Sequence, residues 1–186
     1  MSEIIRQLQD EHTSMSRILD LIEQEIRVFD AGDVADYHLL QEIMDYCLDY
    51  PEACHHPKED AIYAVMVERQ PNLDAGIADL SAAHQRLGGQ TRHVHETVER
   101  LMRDETMSRD LVTHVFGGFL DAYRLHIRLE EDYLFPEALR LLDPDDWAGI
   151  SRTLVDRANP LHQSTEQRFA TLRRGILRVS EAPEGQ

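Results

Sequence analysis

The chain has 186 residues, 42% hydrophobic and 29% charged, with few Gly, Pro and aromatic residues, which is enough for one helical domain with a substantial core, and no linker divides it. Its 35 acidic residues against 19 basic ones leave a formal net charge of -16, and no stretch gathers enough Lys and Arg to neutralise several phosphates, so nucleic acid and anionic membrane are excluded as expected partners. The N-terminus MSEIIRQLQDEH has neither the basic start nor the apolar run of a signal peptide, and no apolar stretch approaches spanning length, so the expected location is cytoplasmic.

Apolar residues recur every three or four positions from Ile4 through Leu8, Met15, Ile18, Ile22 and Ile26 to Phe29, ahead of Ala31-Gly32-Asp33, and predict the first helix. A second pattern runs from about Tyr37 to Val67 and stops at Gln70-Pro71-Asn72. Because Pro51 and Pro57 fall inside it, a kinked helix or two abutting ones are expected. The third helix is predicted from near Leu73 to Arg103, and the fourth from Ser108, an N-cap residue type, toward Leu142. Asp143-Pro144-Asp145 restarts the chain in a fifth helix through Trp147, Ile150, Leu154, Leu161, Phe169 and Ile176, interrupted around Asn159-Pro160. Short links between long amphipathic helices favour antiparallel neighbours. The expected fold is therefore all-α: an up-down-up-down four-helix bundle over residues 1–142, an additional C-terminal helix over 143–178 packed on it, and a disordered tail over 179–186.

The two cysteines, Cys47 and Cys54, stand on one predicted helix about two turns, roughly 10 Å, apart, too far for a disulfide, and read as reduced core residues. The unusual feature is ten histidines. His-x-x-x-Glu, which puts both side chains on one helix face, occurs as His38/Glu42, His55/Glu59, His95/Glu99, His126/Glu130 and His162/Glu166, and an acidic helical protein produces several such pairs by chance.

Depth along the bundle discriminates among them, because residues equally far from a connecting loop lie level in antiparallel helices rising about 1.5 Å per residue. His12 is about 17 residues before Phe29, and His55 about 18 after Tyr37. His84 is about 11 residues after Leu73, level with the His55/Glu59 pair, and about 19 before Arg103, while His126 is about 18 after Ser108. Four helices thus bring one histidine each to one level, together with Glu59 and Glu130. His38 and His95 fail this test, His93 and His114 have no depth-matched partner, and His162 belongs to the fifth helix, so these five read as surface residues. Two carboxylates buried in a bundle are costly without counter-charge, and no Lys or Arg stands at a matching position, so metal cations are expected there.

The segments carrying these residues are DEH (Asp10–His12), HHPKED (His55–Asp60), AAHQRL (Ala82–Leu87) and HIRLEEDYLFP (His126–Pro136). In order and interval they resemble the hemerythrin HHE cation-binding family over residues 1 to about 142, and ANPLHQSTEQRF is similar to the extra C-terminal helix of several bacterial members. The resemblance implies an oxo- or hydroxo-bridged pair of iron ions, with His12 and His84 as terminal ligands, His55 and His126 as the histidines of the two pairs, and Glu59 and Glu130 as bridges. Imidazole and carboxylate suit iron, and would also accept zinc or manganese.

Two choices stay open. His56/Asp60 is an alternative to His55/Glu59 one position along, since Pro57 could shift the helical phase. Classical oxygen carriers use a carboxylate five residues after the fourth-helix histidine, here Glu131, whereas Glu130 keeps the face of His126 and one further residue turns about 100° away. One departure stands out, because the carriers have a second histidine four residues after the one on the third helix, where this chain has Gly88 followed by Gly89. One metal is then expected to be less saturated, with the glycines either leaving room for a ligand or permitting close helix packing.

The function expected is a non-haem di-iron protein that reacts with small diatomic or redox species such as O2, NO or peroxide in sensing, stress response or iron handling, more a ligand-binding protein than a dedicated enzyme. The alternatives are a di-iron oxidase or peroxidase and a metal-free helical interaction module. Ferritin-like oxidase sites favour Glu-x-x-His at three-residue spacing, which is not the spacing that dominates here.

Overall fold

A computed structural model describes residues 2–71, 80–157 and 169–176, and all of their regular structure is helical. The helices are α1 (Glu3–Ala31), α2 (Tyr37–Tyr50), α3 (His56–Arg69), α4 (Leu80–Met102), α5 (Arg109–Leu129), α6 (Phe135–Leu141) and α7 (Pro144–Arg157), with a further helical segment at 169–176. Two five-residue π-helical turns, Pro51–His55 and Glu130–Leu134, join α2 to α3 and α5 to α6 without leaving right-handed helical dihedrals.

The terminations follow local chemistry. Gly32, at φ 99°, closes α1 in the left-handed conformation glycine tolerates, its N–H donating to the Phe29 carbonyl. Asp36 caps α2 by accepting from the Leu39 N–H, and Ser108 caps α5 by accepting from the Leu111 N–H, as its position before the apolar run predicts. The predicted start of the third helix near Leu73, the interruption at Asn159-Pro160, His162 with Glu166, and the expected tail at 179–186 lie outside the described residues.

Helix α1 packs on α2 and α5, and α4 packs on α2 and α5, so these four surround one core. That core is divided. One apolar cluster gathers Ile18 and Ile22 of α1, Ile43 and Met44 of α2, Val94 and Val98 of α4 and Phe116 and Phe119 of α5, and Phe169 and Ile176 join it. The other gathers Ile5 and Leu8 of α1, Ile62 and Met66 of α3, and Phe135 and Ala138 of α6. Helix α7 closes this second cluster with Ile150, Trp147 and Leu154, and Arg69 of α3 pairs with Asp143 and Asp146 beside it. Between the two clusters lies a layer of buried histidines and carboxylates.

Candidate metal centre

Each residue of this layer is delivered by a helix or a π turn. His12 comes from α1, His55 ends the first π turn, His56 and Glu59 open α3, His84 sits on α4, His126 lies near the end of α5, and Glu130 opens the second π turn. Both π turns end two residues before a proline, Pro57 or Pro136. A proline inside a helix has no N–H to donate and its ring presses on the carbonyl four residues back, here Ala53 or Asp132. The wider turn relieves that conflict and closes with i to i-5 bonds, His56 N–H to the Pro51 carbonyl and Phe135 N–H to the Glu130 carbonyl.

At the centre, each of two carboxylates divides its oxygens between two groups of imidazoles. Glu59 Oε1 is 3.1 Å from His55 Nε2 and 3.7 Å from His12 Nε2, while its Oε2 is 3.3 Å from His84 Nε2. Glu130 Oε2 is 3.3 Å from His12 Nε2, while its Oε1 is 3.2 Å from His126 Nε2 and 3.5 Å from His84 Nε2. His12 and His55 bring their Nε2 atoms within 3.1 Å of each other, and the His56 ring stacks on that of His84 at 3.7 Å between centroids. Two groups of ligand-bearing atoms result, His12, His55, Glu59 and Glu130 on one side and His56, Glu59, His84 and His126 on the other, the atoms of each lying within 4.8 Å of one another.

An outer layer holds some of these imidazoles by the nitrogen that faces away. His55 Nδ1 is 2.8 Å from Glu11 Oε2, and the ammonium of buried Lys58 donates to Glu11 Oε1 at 2.7 Å. His12 Nδ1 is 3.0 Å from Glu131 Oε1, and Gln9 donates to Glu131 Oε2 at 3.0 Å. His84 Nδ1 is 3.8 Å from Asp60, an exposed residue beyond hydrogen-bonding reach.

Burial opposes charge throughout the layer, and the carboxylates decide where it is overcome. Against burial, Glu59 and Glu11 hold His55 up at about 10, and Glu130 and Glu59 hold His84 at about 9. His12 is raised in the same way by Glu130 and Glu131. Burial and the neighbouring His84 push His56 down to about 2, and burial lowers His126. Despite burial, the imidazolium of His55, with His84, holds Glu59 well below the usual carboxylate range. Protons on His55 and His84 therefore do the work of counter-cations.

Hydrogen bonding does not account for this packing. Among the described residues, the buried side-chain nitrogens and oxygens without a hydrogen-bond partner are His56 Nδ1, His84 Nε2, His126 Nε2 and both oxygens of Glu59 and of Glu130, all in this one layer. Orphaned donors and acceptors are costly in a dry interior, and the Nε2 atoms of His84 and His126 converge with the oxygens of Glu59 and Glu130 at 3.2 to 3.5 Å, an arrangement able to hold a cation. Nitrogen and hard oxygen in this combination fit iron and comparable divalent metals.

Compared with protein-family models, the chain matches the Hemerythrin HHE cation binding domain over residues 3–138. The chain belongs to the hemerythrin HHE cation-binding family. No match was found among curated proteins or among solved structures. Membership implies cation binding, and the His/Glu groups above are the residues able to hold the cation.

All six residues selected by depth, His12, His55, Glu59, His84, His126 and Glu130, meet in this layer. Of the alternatives His55/Glu59 and His56/Asp60, both histidines enter the layer, His55 Nε2 lying 3.1 Å from Glu59 Oε1 and His56 grouping with Glu59, His84 and His126, while Asp60 is exposed. On the side of His84, where Gly88 takes the place of a further histidine, His56 brings an additional imidazole. A cavity of about 30 Å³ adjoins Gly88 and is bounded in part by His56, Cys47 and Tyr123. Close packing does not explain the glycines: a Cβ at Gly88 would make ordinary contacts at 3.8 and 3.9 Å, and one at Gly89 would meet nothing within 4 Å.

The expected absence of a matching lysine also needs correcting. Lys58 is buried at this level, and its ammonium pairs with Glu11, an acid the depth test did not select. The DEH segment carried the signal for Glu11, since the residue before His12 lies only about 100° round the helix from it. His38, His93 and His114 are exposed, and His95 pairs with Asp45 at 2.9 Å rather than with Glu99. Cys47 and Cys54 are both buried thiols, and burial pushes the Cys47 thiol up to about 12.

Proposed function

We propose that the chain is a non-haem di-iron protein, an up-down-up-down hemerythrin bundle over residues 1–142 carrying a C-terminal helical extension, that reacts in the cytoplasm with O2, NO or peroxide in sensing, stress response or iron handling. The observation that carries this reading is the pair of buried carboxylates, each with one oxygen toward His12 or His55 and the other toward His84. Glu59 and Glu130 would bridge two irons, His12 and His55 would bind one, and His56, His84 and His126 the other. When bound, such a pair supplies reversible electron exchange with a small ligand.

The chain's own residues set the size and access of that ligand. The side with two imidazoles has fewer protein donors than the side with three. On that layer lies a cavity of about 10 Å³, walled by Met15, Tyr50, Tyr123 and Ile127 together with the imidazoles. That is space for about one water-sized molecule, which favours diatomic ligands over organic substrates. A larger cleft of about 760 Å³ between α4 and α5 reaches His126, passing the small residues Ala83, Gly89, Gly118 and Ala122, and offers a route inward. Among the described residues no helix is long and apolar enough to cross a membrane.

Iron analysis and an optical spectrum of protein purified from iron-replete cells test the proposal. Two irons per chain are expected, with both lost in Glu130→Ala and at least one in His55→Ala. Less than one metal per chain after reconstitution, or unchanged binding in both variants, would sink it. Steady peroxide turnover with a reductant would move the assignment to an enzyme.

A further inference from the structure

Glu131 stands five residues after His126, the spacing at which a carboxylate could be drawn as a bridging ligand, and it lies beside Glu130, which is buried with both oxygens unpartnered. The two neighbours are used differently. The oxygens of Glu130 face the Nε2 atoms of His12, His84 and His126. Both oxygens of Glu131 are engaged on the outside, one 3.0 Å from His12 Nδ1 and the other accepting from Gln9 at 3.0 Å. The side chain of Glu131 keeps 30% of its exposure, against 2% for Glu130. His12 is thus held between two consecutive glutamates of the second π turn, one at each ring nitrogen.

We infer that Glu131 is a positioning residue rather than a ligand, and that it acts on one half of the centre only. The inference rests on the dimetal reading above. An imidazole that offers its Nε2 lone pair inward carries its proton on Nδ1, and a carboxylate accepting that proton fixes the tautomer and ring orientation and makes Nε2 a stronger donor. Glu11 stands in the same relation to His55 at 2.8 Å, so both histidines of this half are backed by a carboxylate. The carboxylates behind the other half stand farther off and in solvent: Asp60 is 3.8 Å from His84 Nδ1, and Glu52 is 3.5 Å from His56 Nδ1, which makes no hydrogen bond. Two metals in this layer therefore differ in how firmly their imidazoles are held, and Glu131 belongs to the His12 half.

Stepwise addition of Co2+ to the metal-free full-length protein, followed by visible absorbance and calorimetry, tests this. The parent should take two equivalents. Glu131→Gln keeps the shape and removes the charge. It should still take two equivalents, with one step weakened about 10-fold or more and the other changed less than twofold. His84→Ala identifies the steps, since it should weaken the step that Glu131→Gln spares, and Glu130→Gln should weaken both. Equal melting temperatures of metal-free parent and Glu131→Gln would separate the effect from a folding defect. A Glu131→Gln variant that takes one equivalent, or in which both steps weaken alike, makes Glu131 a ligand and overturns the inference. Unchanged steps make it a surface acid and overturn it equally. If the parent takes less than one equivalent, the dimetal reading fails and this inference with it.

Discussion

His56 is the residue whose assignment changes most, because a helical wheel turns it about 100° from His55 and so presents the two as competitors. In the folded chain both are 6% exposed and both reach the layer around Glu59. Exchanging His56 for Ala should therefore weaken one metal equivalent on the order of a hundredfold while the other stays within severalfold, and Asp60→Ala should change neither by more than about twofold; competition with a chelator of known affinity measures both. The six residues chosen by depth were legible because a histidine on each of four helices, counted from the loops, needs only a constant rise per residue. His56 entered only as an alternative to His55 and Glu11 was not selected, since placing them requires knowing how far the backbone departs from α-helical phase and which outer atoms an imidazole keeps. Lys58 was hidden for the same reason: its ammonium answers to Glu11, and Glu11 becomes visible only once His55 is placed.

At the scale of elements, Pro51 and Pro57 predicted a kink or a break in the second helix, and the chain answers with a π turn that keeps helical dihedrals throughout. The same device recurs before Pro136, so the two helical runs that bring a His-x-x-x-Glu pair to the centre, His55/Glu59 and His126/Glu130, widen at its level. Local sequence rules give the prolines but not the tertiary packing that selects one wide turn over a break. Pro57→Ala restores an N–H and removes the clash with the Ala53 carbonyl, letting the turn relax toward α-helix. The metal-free variant should melt higher than the parent, by a few degrees, whereas its gain in melting temperature on adding metal should shrink as His55 and His56 rotate out of register. Thermal melts with and without metal read both changes, and an undiminished metal gain would remove the link between the π turn and the site.

Seen whole, the molecule stacks two apolar clusters on either side of an ionisable layer, and stability becomes sensitive to what neutralises that layer. His55 and His84 are raised to about 10 and about 9 from an ordinary 6.5, so their contribution is complete below pH 6.5 and is lost as pH rises through those values. Glu59 is lowered, so its contribution is present above about 4.5 and fades in acid, and His56, pushed down to about 2, costs stability as pH falls below 6.5. Metal-free protein should accordingly be most stable near pH 6 to 7. Between pH 7 and 10 its melting temperature should fall, while protein loaded with metal holds steady, because the cation replaces the protons that His55 and His84 would otherwise need. Melting curves across that range check both arms, and parallel pH profiles would contradict the account.

The bundle was legible from periodicity and loop length, but the division of its core was not, since no local pattern distinguishes a helix that crosses one apolar cluster from a helix that crosses two. The formal charge of -16, which first served to exclude phosphate-rich partners, has a kinetic corollary. An anion diffusing toward the bundle climbs an unfavourable potential that a neutral molecule does not feel. Loaded protein should therefore capture azide slowly at low ionic strength and several times faster as salt screens the surface, with NO capture unaffected, and stopped-flow rates across salt concentrations would reveal it. Acidity of the surface would thus act as a filter on ligand charge, admitting neutral oxidants ahead of their anionic competitors.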